Sequence, residues 1–213
     1  MRPTIPALKK SRQPRGFTLI ELLVVIIIIG ILSSLAIPAI VSLNNASNFT
    51  TSVSEMNNLL EAAYSAALAK NTYVWVGFTQ LPNARGIGMA FVYSTHGSSS
   101  DLPDNVLALS KPVVLPDLTL ATIPAAQVGN PARATTSVVQ VTSADNPTFT
   151  ASLAGVSRTF QSVMQITPSG QILVTANKYA WIEIGLTPMR GNPNQAAVLQ
   201  VNAFTGRVST FLP

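Results

Sequence analysis

The chain has 213 residues, no cysteine and a formal net charge of +5, with 47% hydrophobic residues and 10% charged ones. The absence of cysteine excludes a disulfide framework and thiolate chemistry. The positive balance is no argument for nucleic acid. Of the 13 basic residues, Arg2, Lys9, Lys10, Arg12 and Arg15 fall within the first fifteen positions, and the other eight are cancelled by the 8 acidic ones.

Directly after this basic leader the sequence turns apolar. From Phe17 to about Leu43 it is interrupted only by Glu21, Gly30, Ser33-Ser34, Pro38 and Ser42. A bilayer takes ~20 residues to cross, and a secretory h-region has only about 7–15. The run is therefore read as a membrane-spanning helix. The leader charges hold residues 1–16 in the cytoplasm and send the C-terminus across. Glu21 is the anomaly, because an ionised carboxylate near the bilayer centre costs about 2.5–3.5 kcal/mol. A plain signal anchor gives no reason to keep it. Proteolysis after Gly16 would free an amine on Phe17, and the Glu21 carboxylate of one copy would neutralise that amine on a neighbour.

The run Gly16-Phe17-Thr18-Leu19-Ile20-Glu21, with the basic leader before it and the apolar helix after it, resembles the processing signature of type IV prepilins and of type II secretion pseudopilins. The resemblance implies a membrane peptidase and methyltransferase that cuts between Gly16 and Phe17 and N-methylates Phe17. It implies filament packing that depends on Glu21 within the Thr18-Leu19-Ile20 segment. Pro38 matches a proline often found late in the pilin membrane helix. The implied partners are that peptidase, other pilin-like subunits and the inner membrane, with no cofactor and no enzymatic role.

Beyond the apolar run the helix is expected to continue. Val53, Met56, Leu59, Leu60, Ala63, Tyr64, Ala67 and Leu68 recur at helical spacing, with Glu55, Asn57, Asn58, Glu61 and Ser65 mostly opposite. Asn44 to Asn48 reads as either helix or a short loosening, and Gly30 and Pro38 as the points of bending. After Lys70-Asn71 the pattern becomes β. Strands are predicted at Thr72 to Thr79 and Met89 to Ser94, joined through Pro82-Asn83, Gly86 and Gly88. Residues 95–134 are rich in Gly, Ser and Pro and read as a loop-rich insertion. Short edge strands are expected there at Val113 to Leu115 and Leu118 to Ile123. Further strands are predicted at Ser137 to Val141, Phe160 to Ile166, Gln171 to Val174, Trp181 to Gly185, Ala197 to Asn202 and Arg207 to Phe211. The sum is an α+β chain: a long N-terminal helix on a mostly antiparallel β domain. Its expected parts are a cleaved leader (1–16), a membrane and filament-core helix (17–43), an amphipathic continuation (44–70) and an extracytoplasmic β domain (71–213).

The later sequence resembles H-type pseudopilins and FimT-like minor pilins. The shared features are a helix leading directly into a strand, the turn Pro168-Ser169-Gly170, and a last strand bearing Gly206-Arg207-Val208. Some FimT-like pilins bind DNA through a second arginine after Gly-Arg-x, and here that position is Ser209. The chain after the leader is neutral, so the phosphate-neutralising contribution is missing. Arg207 is left as a candidate ligand contact. DNA uptake, or a signal-anchored domain of unrelated function, are the alternatives to a filament subunit. An enzyme would have to use His96, the one histidine, with Asp101 or Asp104 as orienter. A calcium site at Asp101-Leu102-Pro103-Asp104 lacks the oxygen density that 6–8 coordination needs. Neither is expected.

Overall fold

The computed structural model describes residues 16–82, 86–124, 127, 133–142, 147–175, 178–190 and 195–212; over residues 35–43 of the helix it describes the backbone alone. One helix, α1 (Leu19–Lys70), precedes thirteen strands among the described residues. These are β1 (Val74–Leu81), β2 (Gly86–Ser94), β3 (Val106–Ala108), β4 (Val113–Leu115), β5 (Leu118–Leu120), β6 (Val138–Gln140), β7 (Phe149–Leu153), β8 (Val156–Phe160), β9 (Ser162–Ile166), β10 (Ile172–Leu173), β11 (Trp181–Pro188), β12 (Ala197–Asn202) and β13 (Val208–Phe211). The α+β layout expected from the sequence is the one observed.

The chain divides into two units, 1–42 and 43–213. The segment Asn44 to Asn48 is helical, so α1 runs without loosening into the second unit. There its buried apolar residues are Phe49, Val53, Met56, Leu60, Ala63 and Ala67, each at most 4% exposed and three or four positions apart. That spacing puts them on one face. The helix ends in a Schellman turn. Asn71, at φ 49°, takes the left-handed position, the Thr72 N–H donates to the Ala67 carbonyl, and the Asn71 N–H donates to that of Leu68. An asparagine in place of the usual glycine tolerates this conformation.

Two sheets share the face of the helix. The first has the order β10-β9-β1-β2-β3, with β4 also on β2; the second has the order β13-β12-β11-β5, with β6 also on β11. All pairings are antiparallel except β6 with β11. Val76, Met89, Phe91 and Met164 of the first sheet, and Ile182, Ile184, Leu199 and Val201 of the second, close one core with the helix residues. The two sheets are also tied by the Ile172 N–H, which donates to the Ala203 carbonyl at 2.7 Å.

Each sheet is covered on its far side as well. The hairpin β7–β8 lays Phe149 and Phe160, stacked at 5.3 Å, against Trp75, Ala90, Val92 and Val163. Ile123 covers Val198 and Phe211 on the second sheet. Both edge strands predicted in 95–134 form, β4 on β2 and β5 on β11. The hairpin is new relative to the sequence reading. Its turn is carried by Ala154 at φ 51° and Gly155 at φ 80°, and alanine there gives no turn signal. Gly86 and Gly88, expected in a turn, lie within β2, which starts earlier than predicted. Asn83 lies outside the described residues.

Candidate functional site

The helix start is built by a reciprocal pair. Thr18 precedes the first helical residue, and its hydroxyl accepts the Glu21 N–H at 3.3 Å. The Glu21 carboxylate reaches back and accepts both the Thr18 N–H and the Thr18 hydroxyl at 2.8 Å. This is a capping box, Thr-x-x-Glu, which satisfies donors that a helix N-terminus leaves open. Glu21 is thus held by the chain's own first turn. Around it nothing apolar is covered: Phe17 is 84% exposed, Leu19 89% and Ile20 70%, and every large apolar side chain from Leu22 to Leu32 is at least 46% exposed. Gly16 is exposed just ahead, with open space around its Cα. The leader residues 1–15 and the side chain of Pro38 lie outside the described residues. Among the described residues no helix is long and apolar enough to cross a membrane; the described side chains of the apolar run stop at Ser34.

The family model for the prokaryotic N-terminal methylation motif matches residues 11–37, which contain this whole arrangement. Two curated relatives, both fimbrial proteins of Pseudomonas aeruginosa, are 37% identical over 94 residues, covering 39% of this chain and 61% of each relative. Over residues 11–37 the chain is similar to the N-terminal region of type IV prepilins. It spans less than two thirds of the length of these relatives. No solved structure matches it.

Two motifs that lie far from the N-terminus meet on one side chain, Tyr64 of α1. The turn Thr167–Gly170 is closed by the Gly170 N–H on the Thr167 carbonyl at 2.9 Å. Gly170 has φ 83°, and a Cβ there would sit 2.7 Å from the Tyr64 hydroxyl oxygen. Gly206, at φ 68°, ends the β12–β13 turn, and a Cβ there would clash with the Tyr64 ring, 2.1 Å from its nearest carbon. Asn202 shapes that turn, its Oδ1 accepting the N–H groups of Phe204 and Thr205 at 3.0 Å each. Both glycines are therefore required by backbone conformation and by the close approach of the tyrosine. Arg207 follows, exposed and in no ion pair among the described residues.

The histidine loop is arranged against nucleophilic catalysis. The Ser94 hydroxyl donates to Asp101, so its proton faces a carboxylate and not the imidazole. His96 is 66% exposed and its Nδ1 lies 3.7 Å from Asp101 Oδ1. The same Ser94 oxygen accepts the Gly97 and Ser98 N–H groups at 2.6 and 3.0 Å, and Asp101 accepts those of His96 and Ser98. The Ser94 hydroxyl, opposed by burial and aided by the His96 and Ser98 amides and the His96 ring, holds the Asp101 carboxyl below its usual value. The cluster closes a loop. Asp104 is exposed outside it. Among the described residues no group of three or more His, Asp or Glu side chains is placed to hold a metal.

One polar cluster went unread in the sequence. Glu183, on the far face of β11, is 3% exposed and pairs with Arg133 at 3.1 Å. It also accepts from Gln140 at 2.7 Å and Gln200 at 3.1 Å. Arg133 Nη2 donates to the Ile123 carbonyl at 2.6 Å. Gln200 holds the Ala134 backbone through both its oxygen and its nitrogen. The cluster fastens residues 123, 133 and 134 to the second sheet. The signal was there: one carboxylate inside Trp181-Ile182-Glu183-Ile184, a strand otherwise fit only for burial.

Proposed function

We propose that this chain is a structural subunit of a type IV pilus-like or type II secretion pseudopilus filament, of the H-type or FimT-like minor class. Residues 1–16 are the cytoplasmic leader. The peptidase of the inner membrane cuts between Gly16 and Phe17 and methylates the new terminus. Residues 17–43 anchor the chain in that membrane with its C-terminal unit outside, and then bundle with other subunits in the filament core.

The observation that carries this reading is the apolar helix from Leu19 to Ser34, whose large apolar side chains are exposed with none of the described residues covering them. Such a helix, hydrophobic on all sides, needs lipid or other helices around it. Its many β-branched residues are weak helix formers in water, but in an apolar medium the helix is the way to satisfy the backbone. The capping box contributes to the same end. By bonding the Thr18 N–H and hydroxyl, the Glu21 carboxylate enters the membrane partly satisfied, and its remaining acceptor capacity is available to the Phe17 amine of a neighbour. Thr18, Leu19 and Ile20 form the surface across which that pairing sets axial register.

The deciding experiment is the N-terminal mass of protein recovered from cells that hold a prepilin peptidase. A chain beginning at N-methyl-Phe17 is expected. A retained leader, or a cut after about residue 37, would remove the filament reading. Glu21→Ala is expected to be cut normally and yet to be lost from sheared filaments. Thr18→Ala separates the two roles of the carboxylate. It removes the hydroxyl of the cap, worth about 0.5–2 kcal/mol, while leaving the charge, and it is expected to assemble better than Glu21→Ala.

A further inference from the structure

Within the second unit, α1 carries opposite features on opposite flanks. On one flank a groove of about 260 Å³ opens between the helix and the first sheet, lined by Leu59, Ala62, Ala66, Phe91 and Leu109. On the other flank Tyr64 supports the turn between β12 and β13, and that turn presents Phe204. Tyr64 and Ala66 stand two positions apart, at ~3.6 residues per turn, so they point to nearly opposite sides of the helix. Phe204, 58% exposed, is the most exposed large apolar side chain of the second unit among the described residues. Its turn is fixed by the Asn202 side chain and by Gly206.

Charge follows the same division. Glu55 lies one helical turn before Leu59, on the groove flank, exposed and in no ion pair among the described residues. Arg207 lies three residues beyond Phe204, likewise exposed and unpaired among the described residues. Lys111, exposed and next in sequence to the groove residue Ser110, is a positive charge that does not follow this division, so the docking charge on the groove flank is assigned to Glu55.

From this pattern we infer that the β12–β13 turn of one copy docks on the helix flank of the next, with Phe204 in the groove and Arg207 beside Glu55. A groove of this size falls below the ~300–1,000 Å³ of small-molecule sites, and it suits one side chain. A knob and a hole on opposite flanks of the same chain form a heterologous contact, which propagates head to tail and does not close into a dimer. The contact is also much smaller than the ~1,200 Å² that a freestanding complex buries. It therefore suits a partner already held nearby, where effective concentration replaces area. The inference rests on the filament reading, which supplies that tethered neighbour. It gives the glycine and arginine of the last turn a use: Gly206 lets the turn sit on Tyr64, and Arg207 selects the partner flank.

The lack of native cysteine permits a direct test. Two full-length chains with different tags, one carrying Thr205→Cys and the other Ala62→Cys, are co-expressed in cells that assemble the filament and mildly oxidised. A disulfide between the two tags is expected, as is a ladder of linked chains when both cysteines sit on one chain. Phe204→Ala should abolish the link. Glu55→Arg should weaken it about fivefold, the scale of an exposed ion pair, and adding Arg207→Glu should restore it. A third pair, both chains carrying Val24→Cys, reports helix bundling independently. Linkage at Val24 without linkage between positions 205 and 62 overturns the docking contact and leaves the filament reading intact. Linkage at neither place removes both. Linkage of Thr205→Cys only to its own kind would mean a symmetric contact and would also overturn the inference.

Discussion

The two halves of α1 belong to one helix and yet are held by different things. From Phe49 to Ala67 the apolar side chains recur every three or four positions and close a core with both sheets. From Leu19 to Leu32 they occur at nearly every position, and all of them are exposed. Periodicity is what separates the halves. A helix with one apolar face is completed by its own domain, and a helix apolar all round has to be completed by its surroundings. The same backbone element is thus a folded part of one molecule at one end and an assembly part at the other.

Substitutions on the two halves should therefore be felt in different measurements. Phe49→Ala deletes a fully buried ring and is expected to cost about 3–5 kcal/mol in thermal or denaturant unfolding, with leader cleavage unchanged. Ile26→Ala, on the exposed half, is expected to stay within about 0.5 kcal/mol in the same assay in detergent and to reduce incorporation into filaments. Equal losses of stability at the two positions would mean that the chain folds the first half against itself, and the division would fail.

The far face of the second sheet sharpens the contrast, because there the chain covers itself with charge. Removing one partner of a buried pair leaves the other uncompensated, so Glu183→Ala is expected to destabilise by about 3–5 kcal/mol. Replacing both, as Arg133→Leu with Glu183→Leu, is expected to recover most of the loss, since apolar residues of similar volume often substitute for such pairs. Unfolding midpoints of the single and double variants decide it. If the double variant is no better than Glu183→Ala, the hydrogen bonds to Gln140, Gln200 and Ile123 carry the stability and the ion pair does not.

How much of this was legible in the sequence depends on whether the signal is local. The helix, its apolar and amphipathic halves and the strands β4, β11 and β12 follow from periods and runs that need no partner to be read. The capping box is equally local, four residues long, but it was read only as part of a processing motif. Phe49 was overlooked because it precedes the stretch in which the helical spacing is regular. The β7–β8 hairpin was overlooked because its turn uses Ala154 at positive φ, which carries no turn signature. The meeting of Gly170 and Gly206 on Tyr64 joins residues more than a hundred positions apart, and no pattern in a single sequence reports such a contact. Arg133 and Glu183 are separated by a similar barrier, though an acidic residue inside an apolar strand announces that a partner exists.

The smallest effect concerns the border of the packed half. Just beyond the end of the helix, the Thr72 hydroxyl donates to the Ser94 carbonyl at 3.1 Å, and Ser94 in turn anchors the loop closed by Asp101. Because the folded chain holds the Asp101 carboxyl below its usual value, its contribution is complete above an unfolded value of about 3.9. That contribution is lost as the pH falls through the lower, folded value. Hydrogen exchange followed into acid should therefore show the His96 amide, which donates to the carboxylate, losing protection first, and the Ser98 amide, which donates to both the carboxylate and the Ser94 oxygen, losing less. The Gly97 amide, which donates to the Ser94 oxygen, should outlast them. Asp101→Asn should reproduce part of this loss at neutral pH, since an amide oxygen accepts more weakly than a carboxylate. Unchanged protection of His96 and Ser98 in that variant would show that the loop is held by Ser94 alone, and the packed half of the helix would then end in a border indifferent to pH.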